Sequence, residues 1–274
     1  MSDIAASSID WHVQWHGTPG SPALVLVHGF AGSLHTWNWL LPQLEEHFHV
    51  LLVDLPGHGK TPLPRERDFS LVRLGEALGQ LISNAVEAPA FLCGYSMGGR
   101  IALHTALFDP EAIKGLALIG TSAGIADEAE RELRRNSDMG LARNIREKGI
   151  EWFADYWGNL PIFSTQKNLE PPLREWLHQS RMNNDPEGLA YAQEHFGVGV
   201  QENLRTHLFE LSCPLLLMAG DQDKKFCGLN WGIEQHAGGS IPVKRVEILG
   251  VGHAAHIEAP DLVAQELIDF FTNL

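Results

Sequence analysis

Three things are scarce in this sequence. Only three cysteines occur in 274 residues, and an odd number cannot all pair, so a disulfide framework does not hold the fold together. Cys93 and Cys213 lie in or beside apolar runs and are expected to be small buried hydrophobes, with Cys227 nearer the surface. Long apolar runs are also missing. No stretch approaches the about 18 residues of a membrane span, and the opening "MSDIAASSIDWHV" has neither a basic leader nor an apolar core of a signal peptide. A cytoplasmic protein with no membrane partner is the expectation. Positive charge is the third shortage, with 20 Lys and Arg against 34 Asp and Glu and a formal net charge of -14. Such a field repels phosphates, which weighs against nucleic-acid partners and makes any cation beside a site informative.

What is present is the composition of an ordinary folded protein, 44% hydrophobic and 20% charged. Short apolar, β-branched runs alternate with helical patterns: "ALVLVHGF" at 23–30, "FHVLLVDLPG" at 48–57, "AFLCG" at 90–94, "IKGLALIG" at 113–120, "CPLLLMAG" at 213–220 and "VKRVEILG" at 243–250. Continuous apolar strands interleaved with helices predict an α/β fold, a mostly parallel sheet covered on both faces. "IDWHVQWHG" alternates apolar and polar residues and predicts an antiparallel edge strand. Between residues 121 and 211 the strand rhythm stops and only helical stretches remain, such as "EAERELRRNSDMGLARNIREKG" and "PPLREWLHQSRM". The organisation expected is a core of residues 1–120 and 212–274 with a helical cap at 121–211.

Gly94-Tyr95-Ser96-Met97-Gly98 follows one strand and precedes a plausible helix. That is the setting of a G-x-S-x-G nucleophile elbow, a strained turn that holds a serine above the sheet at a helix N-terminus. A serine hydroxyl becomes reactive when a histidine takes its proton and a carboxylate orients that histidine. Asp223 and His253 fall just beyond strand ends in the chain order that such an elbow expects. Asp221 rivals Asp223, and His256 rivals His253 as one of 14 histidines. Order and strand-end placement select Ser96, Asp223 and His253. "VHGF" at 27–30 ends another strand and brings the backbone N–H of Phe30 beside that of Met97 as a pair of oxyanion donors. "DLPGHGKT" at 54–61 reads as a structural loop. These residues resemble the α/β-hydrolase superfamily over essentially the whole chain.

The triad does not fix the reaction, so substrate class must come from the cap and from the elbow's surroundings. Arg100 follows Ser96 by four residues and stands one turn further along the same side of the predicted helix. Leu173, Leu177 and Arg181 fall at i, i+4 and i+8, which aligns a guanidinium with an apolar stripe, where it needs an anionic partner. Arg134 lies at the boundary of a stripe formed by Leu133, Leu141 and Ile145, with Arg131 and Arg135 close by, and spacing alone leaves the choice among them open.

The strings "GYSMGGR", "ERELRRNSD", "FADYWGNLPIFSTQ", "SRMNNDPEGLA" and "HAAHIEAP" are similar to the menaquinone-pathway synthases that form 2-succinyl-6-hydroxy-2,4-cyclohexadiene-1-carboxylate. That resemblance implies a carbon–oxygen lyase that eliminates pyruvate from a tricarboxylate, with Ser96 as general base. It also implies Arg100, Arg134 and Arg181 as carboxylate-binding residues, Tyr95 in the pocket, and an aromatic lining residue at Trp157 or Tyr156. After "LALIG" the chain reads "TSAGIAD", where many relatives carry an acidic residue and a Gly-Pro-Gly-like turn. No metal or organic cofactor is expected, and a monomer acting on a small anionic substrate is. Two other readings use the same scaffold: a serine hydrolase of carboxylated esters or vinylogous carbon–carbon bonds, and a noncatalytic ligand-binding protein.

Overall fold

A computed structural model describes residues 9–66, 69–87 and 89–274. The apolar runs form one seven-stranded sheet: β1 (Val13–His16), β2 (Ala23–Val27), β3 (His49–Val53), β4 (Ala90–Tyr95), β5 (Ile113–Ile119), β6 (Leu215–Gly220) and β7 (Val243–Ile248). The spatial order is β1-β3-β2-β4-β5-β6-β7. Only the edge strand β1 runs antiparallel, against β3; the other pairings are parallel.

Alternation along the strands divides the core. Val25, Val27, Leu116, Leu118, Leu215 and Leu217 join one buried cluster; Leu24, Leu26, Ala117, Ile119, Leu216 and Met218 join the other. Successive side chains point to opposite faces, so a strand that is apolar throughout feeds both layers. The outer strand β7 instead exposes Lys244, Arg245 and Glu247, charges that discourage pairing with another sheet edge.

The helices are α1 (Leu41–Leu44), α2 (Leu71–Ala85), α3 (Met97–Phe108), α4 (Glu128–Gly158), α5 (Pro171–Met182), α6 (Pro186–Phe196), α7 (Lys224–Ala237), α8 (Ala255–Glu258) and α9 (Pro260–Thr272). Among the described residues no helix is long and apolar enough to cross a membrane. The segment between β5 and β6 carries helices only. It has a small core of its own, in which Ala142, Ile145, Phe153, Leu189 and Ala190 pack with Ala31 from the loop after β2. The last piece of this segment, the 3-10 helix Leu204–Glu210, lies against α3 and α7 rather than within that small core.

Two details of α4 differ from the helical pattern in the sequence. Gly149 adopts φ 80 and ψ -178, which breaks the element into two helices across a kink; only glycine enters that region without strain. Leu133 is 71% exposed, so it does not belong to the apolar stripe. The buried side of this helix is Asp138, Ala142 and Ile145. Leu133 lies five residues before Asp138, well around the helix from it, which turns it to solvent.

Candidate active site

Parallel registers bring four loops to one edge. Val27 is opposite Gly94, Tyr95 is opposite Ile119 and Gly220 is opposite Ile248, so the chain leaves β2, β4, β6 and β7 at the same end. Phe30, Ser96, Asp223 and His253 follow those ends. Their convergence is a consequence of strand direction.

Ser96 turns the corner from β4 into α3 with φ 52, in the left-handed region that costs a non-glycine residue about 1–3 kcal/mol. The neighbouring glycines permit this turn by close approach. A Cβ on Gly94 would lie 2.5 Å from the Gly98 carbonyl oxygen, and one on Gly98 would collide with the carbonyls of Val27 and His28. Ser96 N donates to Ile119 O at 2.9 Å, tying the elbow to β5.

His253 Nε2 stands 3.1 Å from Ser96 Oγ, and His253 Nδ1 stands 2.7 Å from Asp223 Oδ2. Asp223 uses its other oxygen to cap α7, accepting from Phe226 N at 3.4 Å. One carboxylate thus terminates a helix and orients the imidazole. Asp221, its rival in the sequence, accepts from Gly250 N at 2.8 Å on the surface and stays outside this line of bonds. His256, the other rival, is fully buried against the rings of Tyr95 (4.1 Å) and Trp37 (4.9 Å). Burial, then the nearby His253, lowers its pKa to about 3, so it packs as a neutral ring. Among the described residues no group of three or more His, Cys, Asp or Glu is placed to hold a metal.

Met97 is the first residue of α3, where helix N–H groups lack an acceptor in a preceding turn. The N–H of Phe30 likewise makes no hydrogen bond to a described residue. Both residues line the cavity that Ser96 borders. The loop is held by "DLPGHGKT": Asp54 accepts from Leu34 N at 2.7 Å and Lys60 N at 2.9 Å, while His28 Nε2 accepts from Leu55 N at 3.0 Å.

Ser96 opens on two adjoining cavities of about 490 and 560 Å³, which have Phe30, Arg134, Trp157, Gln193, Lys225 and Phe226 in common. Arg100 borders the first and is only 8% exposed. Burial, then the positive charge of Arg134, pushes its guanidinium down to about 9, opposed by Asp138. Arg134 borders both cavities but is already paired with Asp138 at 2.7 Å. Arg181 borders a third, narrow cavity of about 50 Å³ together with Tyr95, Phe163 and Trp157. Its guanidinium lies 5.6 Å from the centre of the Phe163 ring. Tyr95 is buried, and burial raises its phenol above the usual range, leaving a hydrogen-bond donor.

Trp157 packs edge-on against Phe30 at 4.9 Å and borders all three cavities. Tyr156 is 44% exposed, stacks on Trp152 and borders only the larger cavity of these three. The loop "TSAGIAD" supplies Ser122, Gly124, Ile125, Ala126 and Asp127 to the wall beside Arg100. Sequence reasoning missed Lys225, Phe226 and Phe163. Lys225 lies two residues after Asp223 and borders both main cavities; the adjacency to the acid was the available signal. Phe226 and Phe163 sit against the His253 ring at 4.5 and 6.0 Å.

The α/β hydrolase fold family matches residues 22–260. A putative 2-succinyl-6-hydroxy-2,4-cyclohexadiene-1-carboxylate synthase of Bacillus subtilis strain 168 is 33% identical over 271 residues, 98% of this chain and 97% of its own length. The synthase of that name from Salmonella typhimurium strain LT2 is 33% identical over 255 residues, covering 92% of this chain and 94% of its own. Among solved structures, MenH from S. aureus superposes with a TM-score of 0.90 at 28% identity, covering 96% of this chain and 98% of that one. The enol-lactonase of Burkholderia xenovorans LB400, at 24% identity and TM-score 0.82, has the fold in common. Elbow, sheet order and full-length likeness agree that the chain belongs to the α/β-hydrolase fold family and, within it, to the 2-succinyl-6-hydroxy-2,4-cyclohexadiene-1-carboxylate synthases.

Proposed function

We propose that this enzyme eliminates pyruvate from 2-succinyl-5-enolpyruvyl-6-hydroxy-3-cyclohexene-1-carboxylate in menaquinone biosynthesis, using Ser96, His253 and Asp223 as its proton relay. The observation that carries the reading is the buried, carboxylate-free Arg100 on the wall of the cavity onto which Ser96 opens. A buried cation held there with no carboxylate in direct contact suits an anionic substrate. The full-length likeness to named synthases supports the same choice.

In this reading Ser96 Oγ removes the ring proton beside the succinyl ketone as its own proton passes to His253 Nε2. The negative charge moves onto the ketone oxygen, where the N–H groups of Phe30 and Met97 stabilise it. Collapse of the enolate breaks the carbon–oxygen bond to the enolpyruvyl group, which leaves as the enolate of pyruvate and takes up a proton. Asp223 stabilises the imidazolium in between. Arg100, Arg134 and Arg181 hold substrate carboxylates, Tyr95 donates a hydrogen bond, and Trp157 bounds the pocket. The segment 121–211 acts as the cap that brings Arg134, Trp157 and Arg181 over the core. No cofactor is invoked, because proton relay and oxyanion donors suffice.

The test is pyruvate release from freshly prepared substrate, with Ser96→Ala as the background for spontaneous elimination. Fast, serine-dependent release is expected. A wild-type rate no greater than that of the variant rejects the lyase, and carboxylated esters then become the substrates to try. Arg181→Ala is expected to lower kcat/KM by about 10- to 1,000-fold through loss of a charged, two-pronged contact. An unchanged value removes Arg181 from the substrate site.

A further inference from the structure

Buried arginines ordinarily sit against carboxylates, because an uncompensated charge away from water is costly. This chain inverts that pattern. The arginines that form ion pairs among the described residues, from Arg131 to Arg65, have side chains 26–79% exposed. Arg100, buried on the wall of the cavity that Ser96 borders, and Arg181, part-buried on the narrow third cavity, have no carboxylate within 4.0 Å among the described residues. Each is fastened to a buried amide instead. Arg100 Nη1 donates to Gln201 Oε1 at 3.1 Å, and Arg181 Nη2 donates to Gln166 Oε1 at 2.8 Å. Gln201 and Gln166 are 1% and 7% exposed.

Both glutamines reach their arginines from another element. Gln166 stands on the 3-10 helix Pro161–Asn168 and Arg181 on α5; Gln201 follows α6, while Arg100 is on α3. A glutamate has the same length and shape and would supply the missing counter-charge. An amide oxygen fixes the direction of the guanidinium fork and leaves its full positive charge. Packing alone does not account for Gln201, since its Nε2 is buried with no partner. Leaving an amide donor unmet away from water is costly, and an apolar side chain of that length avoids it.

We propose that Gln201 and Gln166 are positioning residues, neutral holders that aim Arg100 and Arg181 at carboxylates of the substrate and leave the ligand to neutralise them. The identity of that substrate rests on the proposed function. The electrostatic role does not, because any polycarboxylate that reaches both the cavity of Arg100 and the narrow one of Arg181 feels the two cations.

The experiment compares wild type with Gln201→Glu, Gln166→Glu, Gln201→Met and Gln166→Met in steady-state turnover, in thermal unfolding, and in thermal stabilisation by citrate. Each glutamate variant is expected to unfold at or above the wild-type temperature, since a buried cation gains a partner. Its KM rises about 10-fold or more at little-changed kcat, and its stabilisation by citrate falls. The methionine variants lose the aim without gaining a negative charge, so their KM rises less. Unchanged KM in both glutamate variants overturns the proposal, as does an equal rise in KM for methionine and glutamate. Where a glutamate variant does not fold, its methionine counterpart decides: a several-fold higher KM at wild-type kcat supports the role, and an unchanged KM overturns it. If wild type releases no pyruvate, the proposed function fails by itself and citrate decides this inference. Stabilisation that persists in wild type and weakens in the glutamate variants supports it; equal stabilisation of all proteins, or of none, overturns it.

Discussion

Asp223 combines two tasks in one side chain. Its Oδ2 holds His253 Nδ1 at 2.7 Å and its Oδ1 accepts from Phe226 N, the cap of α7. Asn matches Asp as a helix cap, but its amide cannot stabilise an imidazolium and favours the wrong histidine tautomer. Asp223→Asn is therefore expected to lower kcat by about 10²- to 10⁴-fold with a melting temperature close to wild type. Asp221→Asn, which touches only the bond to Gly250 N, should leave kcat unchanged. Paired measurements of kcat and unfolding temperature on the two variants check this, and equal losses of kcat would remove the distinction between the carboxylates. Sequence order already favoured Asp223. That Asp221 turns to Gly250 N while Asp223 meets His253 became visible only where the loops after β6 and β7 meet.

Among the elements, α4 borders the site with both of its halves. Its first half carries Arg134, and its second carries Phe153 and Trp157, which pack on Phe30. The bend at Gly149 lets one continuous run of helix-forming residues present both halves to the same cavities. A Cβ there meets nothing within 4 Å, but φ is +80, so the penalty for any other residue is backbone strain rather than collision. Gly149→Ala is expected to destabilise the protein by about 1–3 kcal/mol. It should also raise KM more than it lowers kcat, because Trp157 moves while Ser96, His253 and Asp223 do not. Urea unfolding together with steady-state kinetics reads both effects; a variant with wild-type stability and KM would show that the bend is optional. The quoted pattern "EAERELRRNSDMGLARNIREKG" stops at this glycine, yet periodicity misassigned Leu133 within it. A helix wheel cannot tell a face that meets a neighbour from one that meets water.

At the scale of the molecule, the buried histidines set the response to acid. His28, His58, His104 and His256 all have lowered pKa values with burial as the leading cause, to about 4 for His104 and about 3 for His58 and His256. Below the ordinary histidine pKa of 6.5 the unfolded chain binds protons that the folded chain declines. Stability is therefore full above pH 6.5 and drains as pH falls toward 3, by about 1.4 kcal/mol per pH unit for each such group. Urea midpoints between pH 8 and pH 5 should fall on the acid side. His256, with both ring nitrogens unpartnered among aromatic rings, offers a direct check. His256→Phe is expected to recover about 2 kcal/mol at pH 5 relative to its effect at pH 8. The same recovery at both values would show that His256 does not titrate in this way.

Strand count, parallel direction, the antiparallel edge and the serine elbow were all legible along the chain, because each depends on local period or on glycine spacing. The sheet's C-terminal edge follows from those, and with it the approach of Ser96, Asp223 and His253. The cations were legible only as candidates. Whether an arginine is spent on a neighbour or left for a ligand depends on side chains far away in sequence: Asp138 compensates Arg134, whereas Gln201, 101 residues from Arg100, does not compensate it. Burial and charge compensation are sums over spatial neighbours, and one-dimensional spacing reports only those within a turn or two of helix.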